Sequence, residues 1–263
     1  MRLEMTIDGA PCLERNRHIG SCIYCGATEN LTDEHVIPLA LGGRLLLLHG
    51  SCVNCNKVTS RFERDVLRTE LLLPRTTEGM PTRRPSERPA EFQFEVVKHG
   101  HREVIRIPAD ECPTLFAMLL FRRPRHIEEY EYESGISVFG STLHCSEGAK
   151  LHERLGVSSI TVTGTFEGTS FGRMLAKIAY GIVVFHYGVD ALKECYVLPC
   201  ILGRRTDVGY WVGNSDQDVR NHPREELVHR VELGTKNGEV HALLRLFAHL
   251  QTPEYHVVVG KLK

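Results

Sequence analysis

Two cysteine pairs, Cys22-Ile-Tyr-Cys25 and Cys52-Val-Asn-Cys55, frame one stretch of this chain. A two-residue spacer lets one tight turn aim two thiolates at a single ion, and two such pairs supply the four ligands of a tetrahedral zinc. Gly26 directly after the first pair suits such a turn. Between the pairs lies Thr32-Asp33-Glu34-His35-Val36-Ile37-Pro38, which sets two carboxylates beside an imidazole. A histidine of ordinary pKa, about 6.5, accepts a proton near physiological pH. A neighbouring carboxylate can hold a hard cation that prefers oxygen. Asn56 follows the second pair at once. A four-thiolate zinc leaves no open position for water, so the metal would be a staple and any chemistry falls to the residues it encloses.

These residues need elements to place them. The β-branched run after His35 predicts a short strand, Leu41-Gly42-Gly43 a turn, and Leu45–Leu48 a returning strand. A helix is predicted from Asn56 to Leu73. Its apolar positions Val58, Phe62, Val66 and Leu73 fall near one face, while Lys57, Arg61, Arg64 and Arg68 lie largely on others. Asn56 could also serve simply to cap that helix. The predicted unit is a β-hairpin followed by a helix, clamped by one zinc, with His35 and Asn56 close together.

The run CIYCG, EHVIPLALGG and CVNCNK, in that order, resembles the HNH endonuclease superfamily, the ββα-metal nucleases, in its four-cysteine zinc-binding form. The resemblance covers the cysteine-framed stretch only. It implies that His35 is the general base that activates water. Glu34, with Asp33 as the alternative, would be the metal-binding acid, and Asn56 the helix-borne residue at the same Mg²⁺ or Mn²⁺. Cys22, Cys25, Cys52 and Cys55 would hold structural Zn²⁺. The sequence departs from the family in two places: the acid is Glu where Asp is commoner, and the middle asparagine has no match, His49 being the nearest candidate. Lys57, Arg61 and Arg64 would grip backbone phosphates without reading sequence. The implied activity is phosphodiester hydrolysis in DNA, with RNA less favoured, in settings such as antiviral defence or mobile elements. Two other readings stay open. One is a zinc-stapled module that binds nucleic acid or protein without cutting. The other is an effector nuclease silent until a partner or ligand acts on it.

Composition sets the frame. A hydrophobic fraction of 42% and a charged fraction of 25% are ordinary for a globular protein and exclude a disordered chain. A net charge of -1 excludes a generally basic coat, so a nucleic-acid surface must be a local patch. The absence of an apolar leader near Met1 and the unpaired total of nine cysteines predict a reducing, cytoplasmic setting without a membrane span.

The fold class expected is α+β: a zinc-stapled ββα-metal module over 1–73, a linker over 74–90, and a mixed α+β domain over 91–263. That last domain would serve targeting, homodimer or partner-protein contacts, or regulation. The linker expectation rests on Pro74, Pro81, Pro85 and Pro89 among four arginines. Beyond it we expect a hairpin turning at Gly100, a helix over Ala109–Arg123 and a strand at Ile160–Val162. A second helix is expected over Ser170–Tyr187, followed by strands at Val208–Gly213, Leu227–Leu233, Val240–Phe247 and His256–Leu262.

Overall fold

The cysteine-framed stretch folds as a small three-stranded sheet and a helix. The computed structural model describes residues 3–7, 10–11, 16–130, 134–148, 150–215 and 227–263. Strands β1 (Leu3–Ile7) and β2 (Ala10–Pro11) come first, followed by β3 (Asn16–His18), β4 (Leu31–His35) and β5 (Leu46–Cys52). β5 is central, parallel to β3 and antiparallel to β4, so Glu34 faces Leu47 and His35 faces Leu46 across the ladder. The connection uses Gly43 for its lack of a side chain: a Cβ there would lie 1.9 Å from the Ile37 carbonyl oxygen.

Helix α1 runs over Val53–Arg68, three residues earlier at its start and five earlier at its end than expected. The early start has a local cause. Cys52 is the N-cap, and its Sγ accepts the Cys55 backbone N–H, so the second knuckle is itself the first turn of the helix. Cys55, Thr59, Phe62, Val66 and Leu67 form its buried face.

The stretch after α1 differs from the extended linker expected. It holds helix α2 (Leu72–Thr77), with Pro74 and Met80 buried, and a short 3-10 turn at Pro85–Glu87. Pro74 lies in the first turn of α2, where a proline costs no hydrogen bond.

The remaining chain is mixed α and β. β6 (Glu91–Lys98) and β7 (His101–Pro108) form the expected hairpin. The segment expected as a helix over Ala109–Arg123 is instead strand β8 (Leu115–Phe121), paired antiparallel with β9 (Val138–Cys145). Pro113 interrupts the helix, and a short, wholly apolar run between prolines suits a strand buried on both faces. Helix α3 (Lys150–Leu155) and β10 (Ser159–Thr161), which edges β6, lead to helix α4 (Gly168–Tyr187), close to its predicted span. After it come β11 (Leu192–Cys195), α5 (Leu198–Ile201), β12 (Val212–Asn214), β13 (His229–Lys236), β14 (Glu239–Leu246) and β15 (Tyr255–Leu262).

The largest sheet has the order β11-β15-β14-β13-β1-β2, with β12 also on β15. Its β1–β13 pairing is parallel, so residues that precede the cysteines belong to the C-terminal sheet. α4 is apolar nearly all round. It contacts α1 and also β12, β14 and β15, so it lies between the zinc module and the large sheet. One hydrophobic core accordingly runs from Cys22 to Val259, and a smaller one sits under the β10-β6-β7 sheet. No helix among the described residues is long and apolar enough to cross a membrane.

Candidate active site

The Sγ atoms of Cys22, Cys25, Cys52 and Cys55 lie within 4.8 Å of one another. Among the described residues this is the only group of three or more His, Cys, Asp or Glu whose ligand atoms converge so closely. Cys22, Cys52 and Cys55 are buried and Cys25 is exposed. The backbone N–H of Cys55 is the chief cause that brings the Cys52 thiol down to about 7. A capped helix start thus presents a thiolate readily, and the donor set is compatible with structural zinc.

Beside this knot, β4 and α1 enclose a cavity of about 300 Å³ lined by Asp33, Glu34, His35 and Asn56. Thr59, Ser60, Glu63 and Leu67 extend the α1 wall, as their spacing of one, two and three helical turns from Asn56 requires. Four of the predicted residues therefore meet in one place. His49 does not join them. It sits at the bend of β5 with a positive φ of 54°, exposed, its ring 5.3 Å from that of His18. Its backbone N–H donates to Asp33 Oδ1 at 2.9 Å, so Asp33 ties the two strands together. Lys57, Arg61 and Arg64 are exposed on α1 and stand outside the cavity.

Glu34 is 4% exposed, and its nearest charged neighbour comes from far along the chain. Lys177, on α4 and 1% exposed, sets Nζ 2.7 Å from Glu34 Oε1 and 2.9 Å from Glu63 Oε1. The same ammonium donates to the main-chain carbonyl of His35 and, at 3.4 Å, to that of Val36. Burial disfavours the ammonium, but Glu34 and Glu63 outweigh it and hold the Lys177 pKa above the lysine range. Burial also pushes the Glu63 carboxyl up, against the pull of Lys177. Tyr180 and Gly181, one turn on, complete this docking face. The Tyr180 hydroxyl donates to the Ile23 carbonyl at 2.6 Å, and a Cβ on Gly181 would meet Val36 Cγ1 at 3.2 Å.

His35 is half-buried in this setting. Burial lowers its pKa first, then Lys177 and Arg83, against the opposite pull of Glu34 and Asp33. The imidazole is thus held neutral, the form in which it accepts a proton. Arg68 at the end of α1, Arg75 on α2, and Arg83, Arg84 and Arg88 beyond it also line the cavity.

Sequence reasoning missed Lys177 and Glu63. Glu63 could have been found from its seven-residue spacing to Asn56. Lys177 is the lone charge in the run Met174–Phe185, and a lone charge in an apolar helix marks a buried partner elsewhere.

A divalent cation would meet suitable chemistry here. Glu34 Oε2 is buried without a hydrogen-bond partner among the described residues, an orphaned oxygen that a hard cation satisfies.

Residues 22–72 match the family model described as HNH endonuclease. No curated protein and no solved structure matches the chain. The matched segment takes in the zinc knot, β4, β5 and α1, and leaves out Arg75, the 81–88 segment and Lys177 of the cavity lining. Over this segment the chain is similar to HNH endonucleases, which suggests a nuclease-type function in general and nucleic acid as the general class of substrate.

Proposed function

We propose that this HNH module is a metal-dependent endonuclease that hydrolyses phosphodiester bonds in DNA, with His35 as general base. The observation that carries the reading is one neutral, half-buried imidazole in the same cavity as Glu34 and Asn56. His35 takes the proton of the attacking water at a ring nitrogen. None of the described residues engages those nitrogens. Glu34 through its free Oε2, and Asn56 through its amide oxygen, would hold Mg²⁺ or Mn²⁺, with water and substrate phosphate filling the rest of the shell. Such a cation neutralises phosphate charge and stabilises the departing 3′-oxygen. Asp33 is the weaker candidate, since its carboxylate already accepts the His49 N–H. Lys177 fixes the Glu34 carboxylate and the chain at His35, which keeps the imidazole directed into the cavity. The zinc knot closes the scaffold and takes no part in proton transfer. A cytoplasmic role in antiviral defence fits the same reading.

One observation favours a binding module that does not cut: Lys177 already compensates the Glu34 charge. Plasmid DNA incubated with the zinc-loaded protein separates the two. The nuclease reading predicts nicking that needs Mg²⁺ or Mn²⁺ and disappears in His35→Ala. DNA binding with no cleavage under any divalent cation establishes the binding module instead.

A further inference from the structure

The His35 cavity is electrostatically unbalanced. Six cationic side chains line it, Arg68, Arg75, Arg83, Arg84, Arg88 and Lys177, against the four carboxylates of Asp33, Glu34, Glu63 and Glu87. The chain as a whole carries -1, so this excess is local. Most of these cations are spoken for. Lys177 holds Glu34 and Glu63, Arg68 and Arg84 share Glu87 at 2.9 and 2.8 Å, and Arg88 donates to the Met80 carbonyl.

Arg75 and Arg83 differ. No acceptor takes either guanidinium among the described residues. Arg75 is half-buried on α2, its pKa lowered first by burial and then by the like charges of Arg88 and Arg68. Arg83, exposed in the cavity lining beyond α2, lies close enough to His35 to depress the imidazole pKa. A half-buried guanidinium among like charges, with no acceptor, is a cost to the folded state that a bound anion would remove. Guanidinium groups match phosphate oxygens in paired hydrogen bonds, and the cavity is large enough for a phosphodiester.

We propose that Arg75 and Arg83 are a phosphate clamp for the substrate backbone, which passes between α1 and the 81–88 segment with one phosphate at His35. This assignment rests on the nuclease reading, and it moves the main phosphate contacts from Lys57, Arg61 and Arg64, outside the cavity, to Arg75 and Arg83 in its lining.

Binding of a fluorescently labelled DNA oligonucleotide to the His35→Ala protein, followed by anisotropy over a range of KCl concentrations, tests it. Each lost phosphate contact flattens the plot of log affinity against log salt by about 0.7 to 0.9. The Arg75→Gln/Arg83→Gln pair should therefore flatten it by about 1.4 to 1.8 and weaken binding, while Lys57→Gln/Arg61→Gln/Arg64→Gln leaves the slope near that of His35→Ala. Should the Gln pair melt early, Arg75→Lys/Arg83→Lys replaces it, expected to keep the slope and lose affinity with the paired hydrogen bonds. DNA binding that neither pair weakens overturns the clamp and leaves the nuclease reading standing. No binding of DNA by the His35→Ala protein overturns both.

Discussion

At the scale of single residues, the site works by setting one protonation state. His35 is pushed below the ordinary histidine range by burial, then by Lys177 and Arg83, with Glu34 and Asp33 pulling the other way. The proposed base acts in its neutral form, so the proposed activity should be lost only as pH falls through the folded pKa. The acid limb of kcat/KM against pH should therefore lie below about 6.5, the unperturbed value. Arg83→Gln removes one of the depressing charges and should move that limb upward. A limb at or above the ordinary value in the parent would contradict this electrostatic account. The thiolates illustrate a different control. Cys52 gains its low pKa from the backbone of Cys55, a consequence of standing at the start of α1.

At the scale of elements, the site is made where α4 meets β4. Lys177 replaces solvent for Glu34 and Glu63, and removing one partner from a buried ion pair costs roughly 3–5 kcal/mol. Lys177→Met should lower stability by that order in urea unfolding, and Lys177→Met/Glu63→Gln should recover part of the loss by removing one stranded carboxylate. Equal stability of Lys177→Met and the parent would show that the pairing contributes nothing. This contact also marks what could be read from the sequence. The knuckles, Glu34-His35 and Asn56 were legible because their chemistry depends on spacings of a few residues. Lys177 reaches Glu34 across the whole intervening chain, and no local pattern encodes that meeting. β8 was misread because a short apolar run between Pro113 and Pro124 carries no period of its own. The 74–90 segment was misread because Pro74 falls in the first turn of a helix, where proline is tolerated.

At the scale of the molecule, the HNH module and the C-terminal sheet share one core. His229 on β13 joins them: its Nε2 hydrogen-bonds the Leu41 carbonyl at 2.7 Å, while Nδ1 accepts the Phe247 backbone N–H at 3.2 Å. That arrangement holds only a neutral ring, and burial, the largest cause, lowers its pKa to about 4. The unfolded chain binds this proton at about 6.5, so stability should fall as pH drops from about 6.5 to about 4 and level off below. One unit is about 1.4 kcal/mol, giving a loss on the order of 3 kcal/mol. His256, also lowered to about 4 by burial and by His241, steepens the same window. Chemical denaturation at several pH values checks this, and His229→Gln should flatten the dependence. A profile flat from neutral pH down to about 4 would remove His229 as the pH-sensitive joint.

The claim on which the rest depends is that His35, and not His49, is the base. Single-turnover cleavage of a labelled DNA duplex by the zinc-loaded protein with Mg²⁺ or Mn²⁺ measures it directly. Removal of a general base typically costs on the order of 10²–10⁴ in rate. His35→Ala should fall by that factor, whereas His49→Ala, whose ring lies outside the cavity, should stay within about tenfold of the parent. Cleavage by His35→Ala at the parent rate, or a larger loss in His49→Ala than in His35→Ala, would contradict the account.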